Sequence, residues 1–212
     1  MENELKALVG TNEKILYEGK PDKKTFIFES VFNPMLPFAL IWGIIDFGII
    51  GFSIFGAAVD DRSFLYFIIP FMLLHLMPVW LYLGGVLLTR RKYKNTYYIV
   101  TDRAVYISSG TFRKNYFNKP FAELSHVDLH RGIFDQWFDV GDIIFSSSHF
   151  ITRDSNGNQT ISSASVGINS IKDYVNVYNL VKKLQQDIYT DVMYPNDKRP
   201  AENHGYNTEY KG

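Results

Sequence analysis

The sequence predicts an α+β membrane protein: a transmembrane helical hairpin, then an antiparallel β domain closed by one C-terminal helix. Three observations predict it. Two long apolar segments, Pro34 to Ala58 and Ser63 to Leu88, are split by the charged break Val59-Asp60-Asp61-Arg62. After Leu88 the texture turns β-branched and aromatic, with turn residues at short intervals. From Ile171 the apolar positions switch to three- and four-residue spacing.

The leader, residues 1–32, comes first. Lys14-Ile-Leu-Tyr-Glu18 reads as a short strand and Gly19-Lys20-Pro21-Asp22 as a turn. Thr25-Phe-Ile-Phe28 fits either a strand or the start of an interfacial helix. No apolar stretch near Met1 resembles a cleavable signal, so the first span is expected to act as the anchor.

The hairpin is expected over residues 33–88. Each apolar segment runs for about 25 residues, more than the ~20 a helix needs to cross the hydrocarbon core. A water-soluble helix of that length carries a polar stripe. Here each segment holds one ionisable residue, Asp46 in the first and His75 in the second. At ~1.5 Å per residue both fall near the bilayer midplane, where a lone charge costs at least ~2.5 kcal/mol. They are therefore expected to face each other. Three roles are open to the pair: a polar clamp that fixes helix register, a contact to a partner helix or second copy, and a proton or ion relay. Pro70 and Pro78 are expected to kink the second span. Ala39-xxx-Gly43 and Ser53-xxx-Ala57 are small-residue pairs that allow close helix approach. Lys14, Lys20, Lys23 and Lys24 precede the hairpin and Arg90, Arg91, Lys92 and Lys94 follow it, whereas the break carries only Arg62 beside two aspartates. The positive-inside rule then places both termini in the cytoplasm, with Trp42, Trp80, Tyr82 and Tyr66 as a partial aromatic belt.

The β domain is expected over residues 95–188. Strands are read at 95–101, 104–108, 116–120, 124–130, 142–146, 150–153 and 159–163, the last two joined by the turn Asp154-Ser-Asn-Gly-Asn158. In 124–130 the apolar positions do not keep a strict period of two. Residues 132–141 read as a structured loop with Phe134, Trp137 and Phe138. Asn169 reads as the N-cap of an amphipathic helix through Ile171, Tyr174, Val175, Tyr178, Val181 and Leu184, ending near residues 187–189. The stretch 189–212, rich in Pro, Asn, Asp, Lys, Glu and Gly toward its end, is expected to be a disordered tail. Strands followed by one helix suggest a curled sheet or partly open barrel with the helix at one end.

Particular residues carry a resemblance. Tyr97-Tyr98-Ile-Val-Thr101-Asp102-Arg103-Ala-Val-Tyr-Ile-Ser-Ser-Gly110 resembles the opening of the bacterial pleckstrin-homology-like domains, with its Tyr-x-hydrophobic-Thr, an Arg at the turn, a second strand and a Gly. Phe138-Asp-Val-Gly141-Asp142-Ile-Ile-Phe-Ser is similar to that family's aromatic-x-x-Gly-x-hydrophobic strand entry. Glu13-Lys-Ile-Leu-Tyr-Glu-Gly-Lys-Pro21 looks like the segment before the spans in membrane-anchored members. The resemblance covers roughly residues 10 to 190. It implies a PH-like split barrel of two antiparallel sheets capped by the C-terminal helix, and a scaffold role rather than a shared catalytic site.

The remaining features bound the function. Basic and acidic residues balance at 22 each, so bulk charge does not point to nucleic acid. The chain has no cysteine, which excludes disulfides, thiolate metal sites and a cysteine nucleophile, and fits a cytosolic soluble part. No GxSxG, HExxH or P-loop is present, and Ser146-Ser147-Ser148-His149 lacks a base and orienter that sequence can place. His126, Asp128 and His130 alternate along one strand and read as a solvated polar face rather than a metal site, so no metal and no cofactor are expected. The basic run Arg90-Arg91-Lys92-Tyr93-Lys94 sets topology. A sharper alternative has it pin the domain to anionic headgroups together with Arg113, Lys114 and Lys119. The hairpin turn of the first two domain strands offers only Arg103 beside Asp102, so inositol-lipid specificity is not expected. The expected function is a protein-interaction or assembly module on the cytosolic face of a bacterial cell membrane, with an unknown partner or self-association. The alternatives are a sensor of anionic lipid headgroups and an accessory subunit of a transporter.

Overall fold

The residues expected to be a leader form the first edge of the larger sheet. The computed structural model describes residues 2–56, 63–147, 150–153, 159–162 and 165–193. The break 59–62, Ala57 of the second small-residue pair, Ser148 and His149, the turn 154–158 and the tail from Pro195 all lie outside the described residues. The helices are α1 (Glu2–Lys6), α2 (Lys23–Val31), α3 (Met35–Gly51), α4 (Ser63–His75), α5 (Met77–Lys94), α6 (Ile133–Phe138) and α7 (Tyr174–Met193). The strands are β1 (Ile15–Gly19), β2 (Tyr97–Thr101), β3 (Ala104–Ser109), β4 (Asn115–Pro120), β5 (Leu124–His130), β6 (Gly141–Ser147), β7 (Phe150–Arg153), β8 (Gln159–Ser162) and β9 (Ser165–Ile171). The chain forms two units, Phe26–Arg91 and Met1–Thr25 joined with Lys92–Gly212.

The second unit is built of antiparallel sheets: β1-β2-β3-β4, β5-β6-β9 and the hairpin β7-β8. The described strand pairings close no barrel. The two larger sheets share one core. Tyr98, Val100, Val105 and Ile107 come from the first, Leu124, Val127, Ile143, Phe145, Ile168 and Ile171 from the second or its edge, and Val177, Val181 and Leu184 from α7. Each fully buried Ile or Phe among them contributes roughly 1.5–3 kcal/mol of apolar burial. Alternate residues of a strand face opposite sides, so Tyr97 and Ile99 of β2 point the other way. There they meet Leu5 of α1, with Ala104 and Tyr106. The run Tyr-Tyr-Ile-Val is thus continuous rather than alternating because β2 is buried on both faces.

The leader is stitched in by polar contacts as well. β1 pairs with β2, and Glu13 accepts hydrogen bonds from Thr101 Oγ1 at 2.6 Å and Tyr106 Oη at 2.9 Å. Thr101 Oγ1 in turn accepts the N–H of Ala104 at 3.0 Å and fixes the β2–β3 turn. Asp22 caps α2 by accepting the Thr25 N–H at 3.0 Å. Of the two readings left open for Thr25-Phe28, the helical one is what forms.

The strand read at 124–130 forms as β5, and a register shift between Leu124 and His126 places Leu124 and Val127 inward three apart, so the bulge breaks the period of two. Other expectations for this unit are corrected. Residues 132–141 contain a short helix, α6, not loop alone. Asn169 is not an N-cap: it lies in β9, which pairs with β6 and buries Ile168 and Ile171. The helix starts at Tyr174, where the Val177 N–H donates to Asp173 O at 3.0 Å. Sequence periodicity misplaced this start because Ile171 and Tyr174 are three apart and mimic one helical face. The inward face of α7 runs through Val177, Val181 and Leu184, while Val175 is exposed, and the helix continues to Met193.

Two glycines are required by geometry. Gly110 has φ 135°, and a Cβ there would run into the carbonyl of Arg113. Gly141 opens β6 where a Cβ would approach the ring of Tyr174 to 2.8 Å.

In the first unit α3 continues through a π-helical turn, Phe52–Gly56. Among the described residues one helix, Met35–Ile54, is long and apolar enough to cross a bilayer. The expected second span is not one kinked helix. α4 and α5 are bent by 49° at a break, and only together do they meet the same test. Pro70 is accommodated inside α4, whereas Pro78 sits in the first turn of α5, where a missing N–H is tolerated. α5 also runs past the expected end at Leu88, to Lys94.

Leu5→Ala is expected to destabilise the β unit by about 2–5 kcal/mol, as for other large-to-small core changes. Urea or thermal unfolding of the detergent-solubilised chain measures this. A wild-type midpoint would make the leader a mere appendage.

Candidate functional site

The buried face of α3 carries Ala39, Gly43 and Asp46, spaced by four and three residues. Gly43 faces Val79 of α5: a Cβ there would sit 3.5 Å from Val79 Cγ2, an ordinary van der Waals contact. One turn further along, Asp46 is only 1% exposed, and His75 Nδ1 lies 3.0 Å from each of its carboxylate oxygens. The imidazole is stacked against Trp42 at 5.0 Å and Phe71 at 5.7 Å between ring centroids.

The pair sits at the end of α4, where helix carbonyls lack intrahelical donors. Two indoles supply them. Trp42 Nε1 donates to His75 O at 2.9 Å and Trp80 Nε1 to Leu73 O at 3.0 Å. The N–H groups of Val79 and Trp80 both donate to Leu76 O, at 2.9 and 3.1 Å. These indole donors were not foreseen, although two tryptophans flanking a proline-broken segment are a legible signal. Further along, Tyr82 Oη donates to Val31 O at 2.8 Å, and the Ser30 and Thr89 hydroxyls are 2.6 Å apart.

The basic residues are placed differently. Arg90, Arg91, Lys92 and Lys94 are exposed in the last turns of α5. Asn95 Nδ2 donates to Gly110 O at 2.9 Å and so holds the approach to β2 against the β3–β4 turn, which carries the exposed Arg113 and Lys114. Lys114 is engaged there by Glu4 of α1 at 2.9 Å, and Tyr116 Oη donates to the same carboxylate at 2.8 Å. The Lys114 bond holds the Glu4 carboxyl below its ordinary range, with Tyr116 adding to it.

A third cluster lies on the excursion between β5 and β6. His126 and Asp128 are exposed, while His130 lies opposite Asp142 across the β5–β6 pair. Asp135 of α6 is 2% exposed; its Oδ2 accepts the Gly132 N–H at 2.7 Å, and its Oδ1 has no hydrogen-bond partner. Asp142 Oδ1 accepts the N–H of Ser170 at 2.7 Å, holding that residue at φ 54°. Burial pushes the Asp142 carboxyl up and the charge of Asp135 adds to it, against the Ser170 N–H and His130. His130, Asp135 and Asp142 each offer one ligand atom, all within 4.8 Å of one another. Sequence reasoning saw His130 but grouped it with the wrong neighbours, because Asp135 reaches it only through the fold of α6.

A family model described as a bacterial PH domain matches residues 35–185. No curated protein and no solved structure matches the chain.

The Asp46–His75 contact makes a quantitative prediction. In a cycle of Asp46→Asn, His75→Gln and the double variant, the two effects on helical stability are expected to couple by about 0.5–3 kcal/mol. Unfolding in mixed micelles measures it, and additive effects would dissolve the pair.

Proposed function

Because the chain belongs to the bacterial PH domain family, we propose that it is a membrane-anchored, PH-like docking module rather than an enzyme. In this reading residues 33–88 form a two-helix anchor, with α3 as one span and the bent α4–α5 pair as the other. Both termini are cytoplasmic. The two larger sheets and α7 form the split barrel, and the unit binds a protein partner or another copy at the cytosolic face of a bacterial cell membrane.

The observation that carries the anchor is the inverted polarity of Phe26–Arg91. Ile44, Phe52, Phe67 and Leu74 are each more than 70% exposed, whereas Asp46 is at 1%. Water selects the opposite arrangement, and a continuous apolar surface of this kind fits a hydrocarbon solvent. Backbone carbonyls at the α4–α5 break are met by indoles, which is what a non-aqueous surrounding requires. The basic end of α5 supports cytoplasmic placement.

The docking reading rests on β4. It is exposed from Asn115 to Asn118, its outer edge carries no strand among the described residues, and Phe112, Tyr116 and Phe117 are exposed on or beside it. Such an edge is suited to strand addition. Lipid sensing by Arg113 and Lys114 is less favoured, since Glu4 already engages Lys114.

Two measurements test these readings. Alkaline carbonate washing of membranes is expected to leave the chain in the pellet until detergent is added; release by alkali alone would remove the anchor. A photo-crosslinker replacing Phe117 is expected to form a discrete adduct in intact membranes, while the same probe at exposed Val175 does not. Equal labelling at both positions would overturn β4 as the docking edge.

A further inference from the structure

We infer that His130, Asp135 and Asp142 form a binding site for one divalent first-row transition ion, such as Zn²⁺ or Mn²⁺. The inference does not depend on the docking reading. Its geometry comes from three elements: His130 ends β5, Asp135 projects from α6, and Asp142 is the second residue of β6. Their ligand atoms lie within 4.8 Å of one another. Around a tetrahedral ion with ligands at ~2.0–2.2 Å the donors sit about 3.4 Å apart, so modest inward movement completes the set. His130 is exposed and has the freedom to make that movement.

The independent sign is Asp135. A carboxylate oxygen buried at 2% exposure without a hydrogen-bond partner is costly. The nearest cation does not relieve it. Arg131 spends its guanidinium on Val140 O at 2.9 Å, on Asp139 Oδ1 at 3.1 Å and on the face of Tyr174 at 4.6 Å, and touches Asp135 only at its backbone oxygen. Each carboxylate has one oxygen committed to a backbone N–H, Asp135 to Gly132 of its own loop and Asp142 to Ser170 of β9, and a second to give to an ion. Two carboxylates neutralise a divalent charge. The imidazole shifts preference from Mg²⁺ and Ca²⁺, which take oxygen donors, toward Zn²⁺, Mn²⁺ and their neighbours. The bound ion would tie α6 to the β5–β6 pair and so set the orientation of exposed Ile133 and Trp137.

The test is equilibrium dialysis of the full detergent-solubilised chain against micromolar Zn²⁺ or Mn²⁺, with Mg²⁺ in excess, together with a melting curve. One ion per chain and a rise in Tm of about 5 °C at saturation are expected. His130→Ala, a change at an exposed position, should abolish both, and Asp142→Asn should weaken binding at least tenfold. His126→Ala, on the same strand outside the cluster, should leave both unchanged. Circular dichroism confirms that the variants fold. No bound ion, or binding that survives His130→Ala, overturns the site, as does binding lost with His126→Ala.

Discussion

Asp46 is the constraint on which the helical unit turns. A carboxylate with almost no exposure must be satisfied inside a unit whose outer surface is apolar. The solution is local and complete. Gly43 on the same face meets Val79, α4 ends at the residue that reaches Asp46, and the aromatic rings of Trp42 and Phe71 stack on the imidazole. Ending α4 there creates a second debt, the unpaired carbonyls of its last turn. Trp42 and Trp80 answer it with their indole N–H groups. Trp42 therefore does two things at once: it packs on the ring of His75 and donates to that residue's backbone. The break is a consequence of where the polar pair must meet, and Pro78 makes it inexpensive by placing its missing N–H in the first turn of α5.

The β unit answers a different problem, how two small sheets share one core. Neither sheet can bury an apolar face alone, and α7 fills the space through Val177, Val181 and Leu184. β2 and β3 then have a second apolar face, which would be left open without α1. Leu5 covers it, and Glu13 fastens the connection to Thr101 and Tyr106. Burial raises the Tyr106 hydroxyl and the Glu13 bond raises it further, so the phenol stays a donor.

Much of this was legible in the residues, and the failures share a cause. The strands at 104–108, 116–120, 124–130 and 150–153 stand within a residue of where periodicity and turn chemistry put them. Asp46 and His75, the lone ionisable residues of their apolar segments, are in contact. What escaped was set by contacts distant in sequence. The end of β9 reads as a helix entry because its partner, β6, cannot be seen from residues 165–171 alone. α6 is too short for periodicity to register. The break at Leu76 depends on two indoles and an aspartate from other turns. The ion pair of Lys114 with Glu4, more than a hundred residues earlier, is equally invisible to a local reading.

The match to the family begins at residue 35, inside α3, and so takes in helices and strands as one module while leaving β1 outside. Yet β1 is the outer neighbour of β2, a strand buried on both faces. The sheet cannot be assigned without it. An edge strand explains the discrepancy: β1 presents mostly exposed side chains, so few of its residue identities are dictated by packing, and a family pattern has little to grip. Its place is held instead by backbone pairing and by Glu13, two positions before the strand's start and easily read as loop. The physical boundary of the domain is therefore set by hydrogen bonds that a residue pattern does not record. With β1 at one side of the sheet, β4 is the edge at the other among the described residues.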